Sequence, residues 1–308
     1  MAADSMQTLN ALGFARALAR RPDAHKGDAG RALLIGGAPT MAGALVLAGK
    51  GALYSGAGYT LLMMLDSGSA HLVASQPELM VHDAAHADPA RAIAHMRPDA
   101  VAIGPGLGRS PQALQWVQAA LAWRGPVVLD ADAINLVAEN GFLLRALRAR
   151  EYATTLTPHP GEAARLLACS AAEVQADRAG AMDRLVAHTG CTVVLKGHGT
   201  LIGSPGRATE QCLNGNPGMA VAGMGDVLTG CIAALAAQGV RAGLDLWQAT
   251  CLAVQVHAIA ADQLVVAGVG PIGLTPSEVA LRIRHVMNAA AAAAGLTPLS
   301  AGDKAAAG

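Results

Sequence analysis

Short apolar runs alternate with longer stretches of helical periodicity along most of this chain. Ala32-Leu33-Leu34-Ile35 predicts a buried strand that stops at Gly36-Gly37. Further strands are expected at 59–65, 99–103, 126–129, 153–156 and 192–195. Residues 200–202 read as a hairpin partner of the last, with a turn near Ser204-Pro205-Gly206. Helices are expected at 41–54, 111–122, 162–167, 171–188, 219–237, 245–265 and 276–292. Strand–loop–helix units of this length predict an α/β fold, a mostly parallel central sheet with helices on both faces. No internal repeat and no linker divides it, so a single domain is expected over 25–289. It would follow an N-terminal extension (1–24) and precede a disordered Ala-rich tail (290–308).

Composition narrows the function classes. Hydrophobic residues make up 53% and charged residues 14%, enough for a large buried core and too apolar for a disordered chain. Phe, Tyr and Trp are scarce, so Ala, Leu, Val and Met must fill that core. The formal net charge is zero with no basic stripe, which argues against a nucleic-acid surface. The five cysteines are odd in number and form no CxxC, which fits a reducing cytoplasm better than a disulfide framework. No signal peptide is visible, and Lys50 and Asp226 interrupt the two most apolar stretches, so no membrane span is expected.

The chemistry gathers in loops at predicted strand ends, where open α/β sheets bind ligands. Gly36 to Ala44 is neither a dinucleotide fingerprint nor a Walker loop, and a tight turn explains it equally well. Gly104-Pro105-Gly106-Leu107-Gly108 clears space against the backbone. In Asp130-Ala-Asp132, Asp132 reads as a helix cap, and Asp130 as structural or as a partner of metal-bound water. Thr157-Pro158-His159-Pro160 fixes the direction of a histidine, and Glu162 reads as a cap beside it. Lys196-Gly197-His198-Gly199-Thr200 offers an ammonium and open backbone to a nucleotide, or is simply an exposed hairpin loop.

Asn214-Gly-Asn216-Pro-Gly-Met-Ala-Val-Ala222-Gly223-Met224-Gly225-Asp226 is the most telling stretch. Flexible residues lead to one acid, and an apolar helical run follows. A helix N-terminus holds about half a positive charge, which suits phosphate. An aspartate there can deprotonate a hydroxyl while N–H groups hold the anion. Asp226 as an ordinary N-cap is the plain alternative.

Taken in order, from His25-Lys26-Gly27 through these loops to Asp226, the motifs resemble the ADP-dependent (S)-NAD(P)H-hydrate dehydratases of the ribokinase-like superfamily. The resemblance spans most of the chain, to about residue 289. It implies a ribokinase-like fold and repair of NADH or NADPH that has taken up water across the nicotinamide ring. The ring hydroxyl would be phosphorylated and phosphate would then depart. A small-molecule kinase of the same superfamily, acting on a vitamin precursor, is the alternative.

By resemblance, Asp226 is the base. Gly223, Met224 and Gly225 form the anion hole. Lys196, Gly197, His198, Gly199, Thr200 and Gly225 contact the adenine nucleotide. Ala44, Gly108, His159 and Asp226 contact the hydrated cofactor. Gly106, Asp130 and Asn216 are further candidates, the latter two for phosphate or magnesium-bound water. The implied cofactors are ADP, with ATP as the alternative donor, and Mg²⁺, whose ligands the sequence does not reveal. A homotetramer is implied, as is a separate epimerase, since too few residues precede His25 for that domain. The family usually has two glycines where Ala222-Gly223 stands, and tolerance of the extra methyl is expected.

Overall fold

The chain's first strand is a short piece, β1 (Gln7–Thr8), and it already belongs to the main sheet. The computed structural model describes residues 6–293. The central strands are β2 (Arg31–Gly36), β3 (Tyr59–Met64), β4 (Leu79–Asp83), β5 (Ala100–Ile103), β6 (Val127–Leu129), β7 (Thr154–Leu156) and β8 (Thr192–Leu195). Two more, β9 (Thr200–Gly203) and β10 (Glu210–Cys212), complete a sheet of order β1-β10-β9-β8-β7-β6-β5-β2-β3-β4. β4 through β8 are parallel, β8–β9–β10 are antiparallel, and β1 joins β10 in parallel.

Both faces of the parallel part are covered, so β2 is apolar at every central position rather than at alternate ones. Ala32 and Leu34 enter one core layer, and Leu33 and Ile35 enter the other. The first layer packs α1 (Ala42–Tyr54), α9 (Met224–Ala242), α10 (Leu246–Val266) and α11 (Pro276–Ala293) against the sheet. The second holds α2 (Pro89–Met96) through α8 (Arg178–Thr189). Leu9, Ala11 and Ala15 are buried in the first layer, so residues 7–18 pack as part of the same body.

Three helix readings change. The stretch 171–188 is two helices, α7 (Ala171–Ala176) and α8, because Asp177 leaves helical geometry and caps α8 through Gly180 N–H at 2.9 Å. The helix expected from 219 begins at Met224. Gly223, at φ 91°, opens it, and Gly243, at φ 80°, closes it beyond the expected end. α10 is long and apolar enough to cross a membrane, against expectation, but 67% of its apolar window is buried in this fold. The pair β4–α2 escaped the periodicity analysis, although Asp88-Pro89 is a cap followed by a first-turn proline. The tail expected from 290 completes α11 to Ala293, and its remainder lies outside the described residues.

β2 pairs with β3 on one side and β5 on the other, so the chain leaves the sheet in opposite directions there. Their loops meet at the resulting crevice. Gly37 N–H donates to Pro105 O at 3.0 Å and Ala38 N–H to Gly106 O at 2.7 Å. α9 runs beneath this point, in close contact with α1. A Cβ on Gly51 would stand 2.2 Å from the Val227 carbonyl oxygen, and one on Gly230 would stand 1.8 Å from that of Ala48.

In an open helix interior, Gly→Ala stabilises by ~0.5–1 kcal/mol. At Gly230 the sign reverses, because backbone rather than a flexible side chain fills the space. Gly230→Ala is expected to destabilise by about 2 kcal/mol, in the range of overpacked cores. Thermal unfolding reads this as a lowered Tm, and a raised Tm would refute the close approach.

Candidate active site

Asp130 directly follows β6 and is buried to 1% exposure. Three donors hold it. Thr157 Oγ1 donates to its Oδ1 at 2.7 Å, Thr229 Oγ1 to its Oδ2 at 2.7 Å, and Lys196 Nζ to its Oδ1 at 2.8 Å. Burial alone would raise its pKa; the ammonium and both hydroxyls overcome this and hold it below the usual carboxylate range. Its oxygens are therefore engaged within the protein. The next residue, Ala131, has φ 44°, a left-handed conformation costly for a residue with Cβ.

Lys196 directly follows β8, and its N–H donates to Pro158 O at 2.9 Å, tying that strand end to the Thr157–His159 loop. Its ammonium also lies 3.9 Å from Glu162 Oε2 and next to Gly225, where a Cβ would stand 3.1 Å from Nζ. Burial opposes its charge, but Asp130 and Glu162 prevail and raise its pKa.

Glu162 both caps and acts electrostatically. Its Oε2 accepts from His159 N–H at 2.8 Å, closing a capping box at the start of α6 (Pro160–Leu167). Its Oε1 lies 3.2 Å from His159 Nε2. Burial, with Lys196 opposing, pushes its pKa up to about 7. His159 Nδ1 accepts from Gly161 N–H at 3.0 Å and Glu162 N–H at 3.4 Å, so Nε2 bears the proton. Partial burial and the charges of Lys196 and Arg165 hold its pKa down.

Asp226 is not an N-cap. Gly223 occupies that position, and Asp226 follows in the first turn of α9 without a hydrogen-bond partner for its carboxyl among the described residues. The N–H groups of Gly225 and Asp226 likewise have no backbone acceptor there. Burial, then the charge of Asp130, raise the Asp226 pKa to about 7, with Glu162 and Asp132 adding to the shift and Lys196 opposing it.

The expected contact residues form two groups. Ala44 and Gly106 lie close together, a Cβ on Gly106 standing 3.2 Å from that of Ala44. Gly108 N–H donates to Asp132 Oδ2 at 2.9 Å, so Asp132 holds the glycine loop instead of capping a helix. Separately, a cavity of about 430 Å³ is lined by Lys196, Gly197, His198, Gly199, Thr200, Met224 and Gly225. Asn216 shares its wall, but its amide is engaged, Nδ2 donating to Asp262 at 2.9 Å and Oδ1 accepting from Gly218 N–H at 3.0 Å. Ala222 is exposed and needs no positive φ, so a glycine is not required there.

Sequence reasoning missed Thr157 and Thr229 as anchors, and also His257 of α10, buried in the cavity wall with Nε2 unpaired. Thr157 sat inside a motif already singled out. Thr229, three residues after Asp226, had no local signal.

Ionising Asp226 in the fold is unfavourable, and the sign follows. Its folded pKa lies above the ordinary 3.8, so wild-type stability falls as pH rises from about 4 to about 7 and then levels. Asp226→Asn is expected to match wild type near pH 4 and exceed it by roughly 1–2 kcal/mol at pH 8, after discounting for solvent access. Denaturant titrations across this range test it; equal stability at pH 8 would contradict the unpaired carboxylate.

Comparison with known proteins identifies the family. The family described as NAD(P)H-hydrate dehydratase matches residues 32–280. An ADP-dependent (S)-NAD(P)H-hydrate dehydratase of Neisseria meningitidis is 38% identical, covering 88% of this chain and 89% of that one. A bifunctional NAD(P)H-hydrate repair enzyme of Escherichia coli is 39% identical over 87% of this chain, which spans 50% of that protein's length. The chain thus spans about half the length of the bifunctional relatives it matches. The solved structure of a Bacillus subtilis ADP/ATP-dependent NAD(P)H-hydrate dehydratase, co-crystallised with ATP/Mg²⁺, superposes with TM-score 0.77 at 28% identity, covering 92% of this chain and 99% of that one. With the ribokinase-like sheet, the glycine-built crevice and the acid at the start of α9, these matches establish that the chain belongs to the NAD(P)H-hydrate dehydratase family.

Proposed function

We propose that this chain dehydrates the S epimer of hydrated NADH and NADPH at the expense of an adenine nucleotide. One observation supports the reading above the rest: the unpaired Asp226 carboxyl follows Gly225 in the wall of the 430 Å³ cavity and feels the charge of Asp132, which holds Gly108. Asp226 takes the proton of the ring hydroxyl, and its pKa near 7 matches that task at neutral pH. The N–H groups of Gly225 and Asp226 face the transferring phosphoryl, a contribution of ~3 kcal/mol per donor in comparable sites; the Met224 N–H, expected to join them, donates instead to Val221 O at 3.4 Å. Phosphate then leaves where hydroxide could not, the ring nitrogen supplying the electrons, and loss of a proton from the adjacent ring carbon to water or the departing phosphate restores the ring double bond.

The nucleotide fits the cavity wall of Lys196 to Thr200 and Gly225, where Gly197 (φ 139°) and Gly199 (φ 62°) open the backbone. ADP is the expected donor, and ATP fits the same chemistry. Mg²⁺ supplies charge neutralisation for phosphoryl transfer. Among the described residues no group of three or more His, Cys, Asp or Glu forms a metal cage. In this reading nucleotide phosphates and water hold the ion, as Mg²⁺ usually is held in phosphoryl-transfer sites. Ala44, Gly108 and His159 hold the hydrated cofactor. A homotetramer and a cytoplasmic location accompany this reading as family expectations.

Incubation with the S hydrate and ADP or ATP is expected to restore the absorbance of reduced nicotinamide. Asp226→Asn should keep nucleotide binding and lose turnover by ~10²–10⁴-fold. Phosphorylation without return of absorbance would instead identify a kinase. In this reading the site turns over the S epimer alone, and we propose that an epimerase converts the R epimer for it. A racemic hydrate should stop near half conversion and resume when an epimerase is added; completion by the purified chain would refute this.

A further inference from the structure

Three carboxyl groups surround Lys196, yet only Asp130 lies within direct hydrogen-bond reach. Asp130 Oδ1 is 2.8 Å from Nζ and Glu162 Oε2 is 3.9 Å. Asp226 makes no ion pair with it within 4.0 Å, although its neighbour Gly225 lies against the ammonium. A lysine on a flexible stem would turn to whichever acid is nearest and least hydrated. Something holds it away from Asp226.

We infer that Asp130 is a positioning residue: clamped by Thr157 and Thr229, it pins the Lys196 ammonium beside Gly225 and keeps it from neutralising Asp226. This rests on the dehydratase reading for its purpose, but on geometry alone for its substance. Both Asp130 oxygens accept from buried hydroxyls at 2.7 Å, so the carboxylate cannot rotate to follow the lysine. Thr229 lies on α9, one turn after Asp226, so the same helix that presents the base also holds its competitor's anchor. A cation so placed faces the phosphoryl position at the helix N-terminus and leaves the Asp226 carboxylate unpaired as a proton acceptor.

The groups facing Asp226 are few. Asp130 and Asp132 come from β6 and α4 (Ala131–Glu139), Glu162 from α6 and Lys196 from β8. His257 of α10 stands nearby and is held neutral by burial, its pKa pushed down to about 4. Lys196 is the only one of these whose approach would lower the Asp226 pKa.

The test is a pH titration of the Asp226 carboxyl carbon by NMR in the nucleotide-free protein, with Asp226→Asn assigning the resonance. It needs no turnover, so failure of the dehydratase reading would not disturb it. Asp130→Asn should lower the midpoint by about one pH unit or more, through lost negative charge and through release of Lys196. In a Lys196→Met background the first cause remains and the second vanishes, so the shift should shrink to less than half. Thr229→Val keeps the Asp130 charge and only loosens the clamp. It should lower the midpoint where Lys196 is present and leave it unmoved in Lys196→Met, and it serves also if Asp130→Asn does not fold. Equal shifts with and without Lys196, or no shift in Thr229→Val, would overturn the proposal.

Discussion

Lys196 faces three carboxyl groups, Asp130, Glu162 and Asp226, in a site largely removed from water. One ammonium neutralises one carboxylate. The other two have no ammonium of their own; burial above all, with the charge of Asp130 adding and Lys196 opposing, pushes both pKa values up to about 7. Which acid gets the lysine is decided by the hydroxyls of Thr157 and Thr229, which stabilise only Asp130 as an anion. The rest of the site can be read as a consequence. Glu162 is retained by the capping box of α6, and Asp226 is left poised between its two states.

The fold makes that crowding possible. Parallel strands deliver Asp130, Thr157 and Lys196 to neighbouring strand ends, because β6, β7 and β8 are adjacent in the sheet. α9 must then approach closely enough for Thr229 to reach Asp130 and for Gly225 to lie against Lys196. Gly51 and Gly230 permit this, since any Cβ at either position would meet backbone of the other helix. The same economy of side chains appears at Gly104, where a Cβ would stand 1.9 Å from the Asp130 carbonyl oxygen. These glycines are packing devices, and the crevice exists because backbone can meet backbone there.

Much of this was legible in the sequence. The parallel sheet followed from unbroken apolar runs such as Ala32–Ile35, and every loop singled out for chemistry lies at the crevice end of the sheet or the start of a helix. The failures share a cause. The ladder from Lys196 to Asp130 joins residues 66 positions apart, and that from Thr229 to Asp130 joins residues 99 apart. Local pattern holds no trace of such a pairing. Asp132 looked like a cap because of its sequence neighbours, and only the fold shows it holding Gly108. Helix starts were misplaced at Gly223 and Asp177 because apolar periodicity runs through both, while backbone geometry does not.

The central claim is that the ring oxygen becomes a phosphate ester before it leaves, with Asp226 taking its proton. An isotope measurement tests it most directly. The S hydrate labelled with oxygen-18 at the ring hydroxyl is converted with nucleotide, and the label is followed by mass spectrometry. The account predicts that oxygen-18 appears in inorganic phosphate. Label released as water, with unlabelled phosphate, would contradict it.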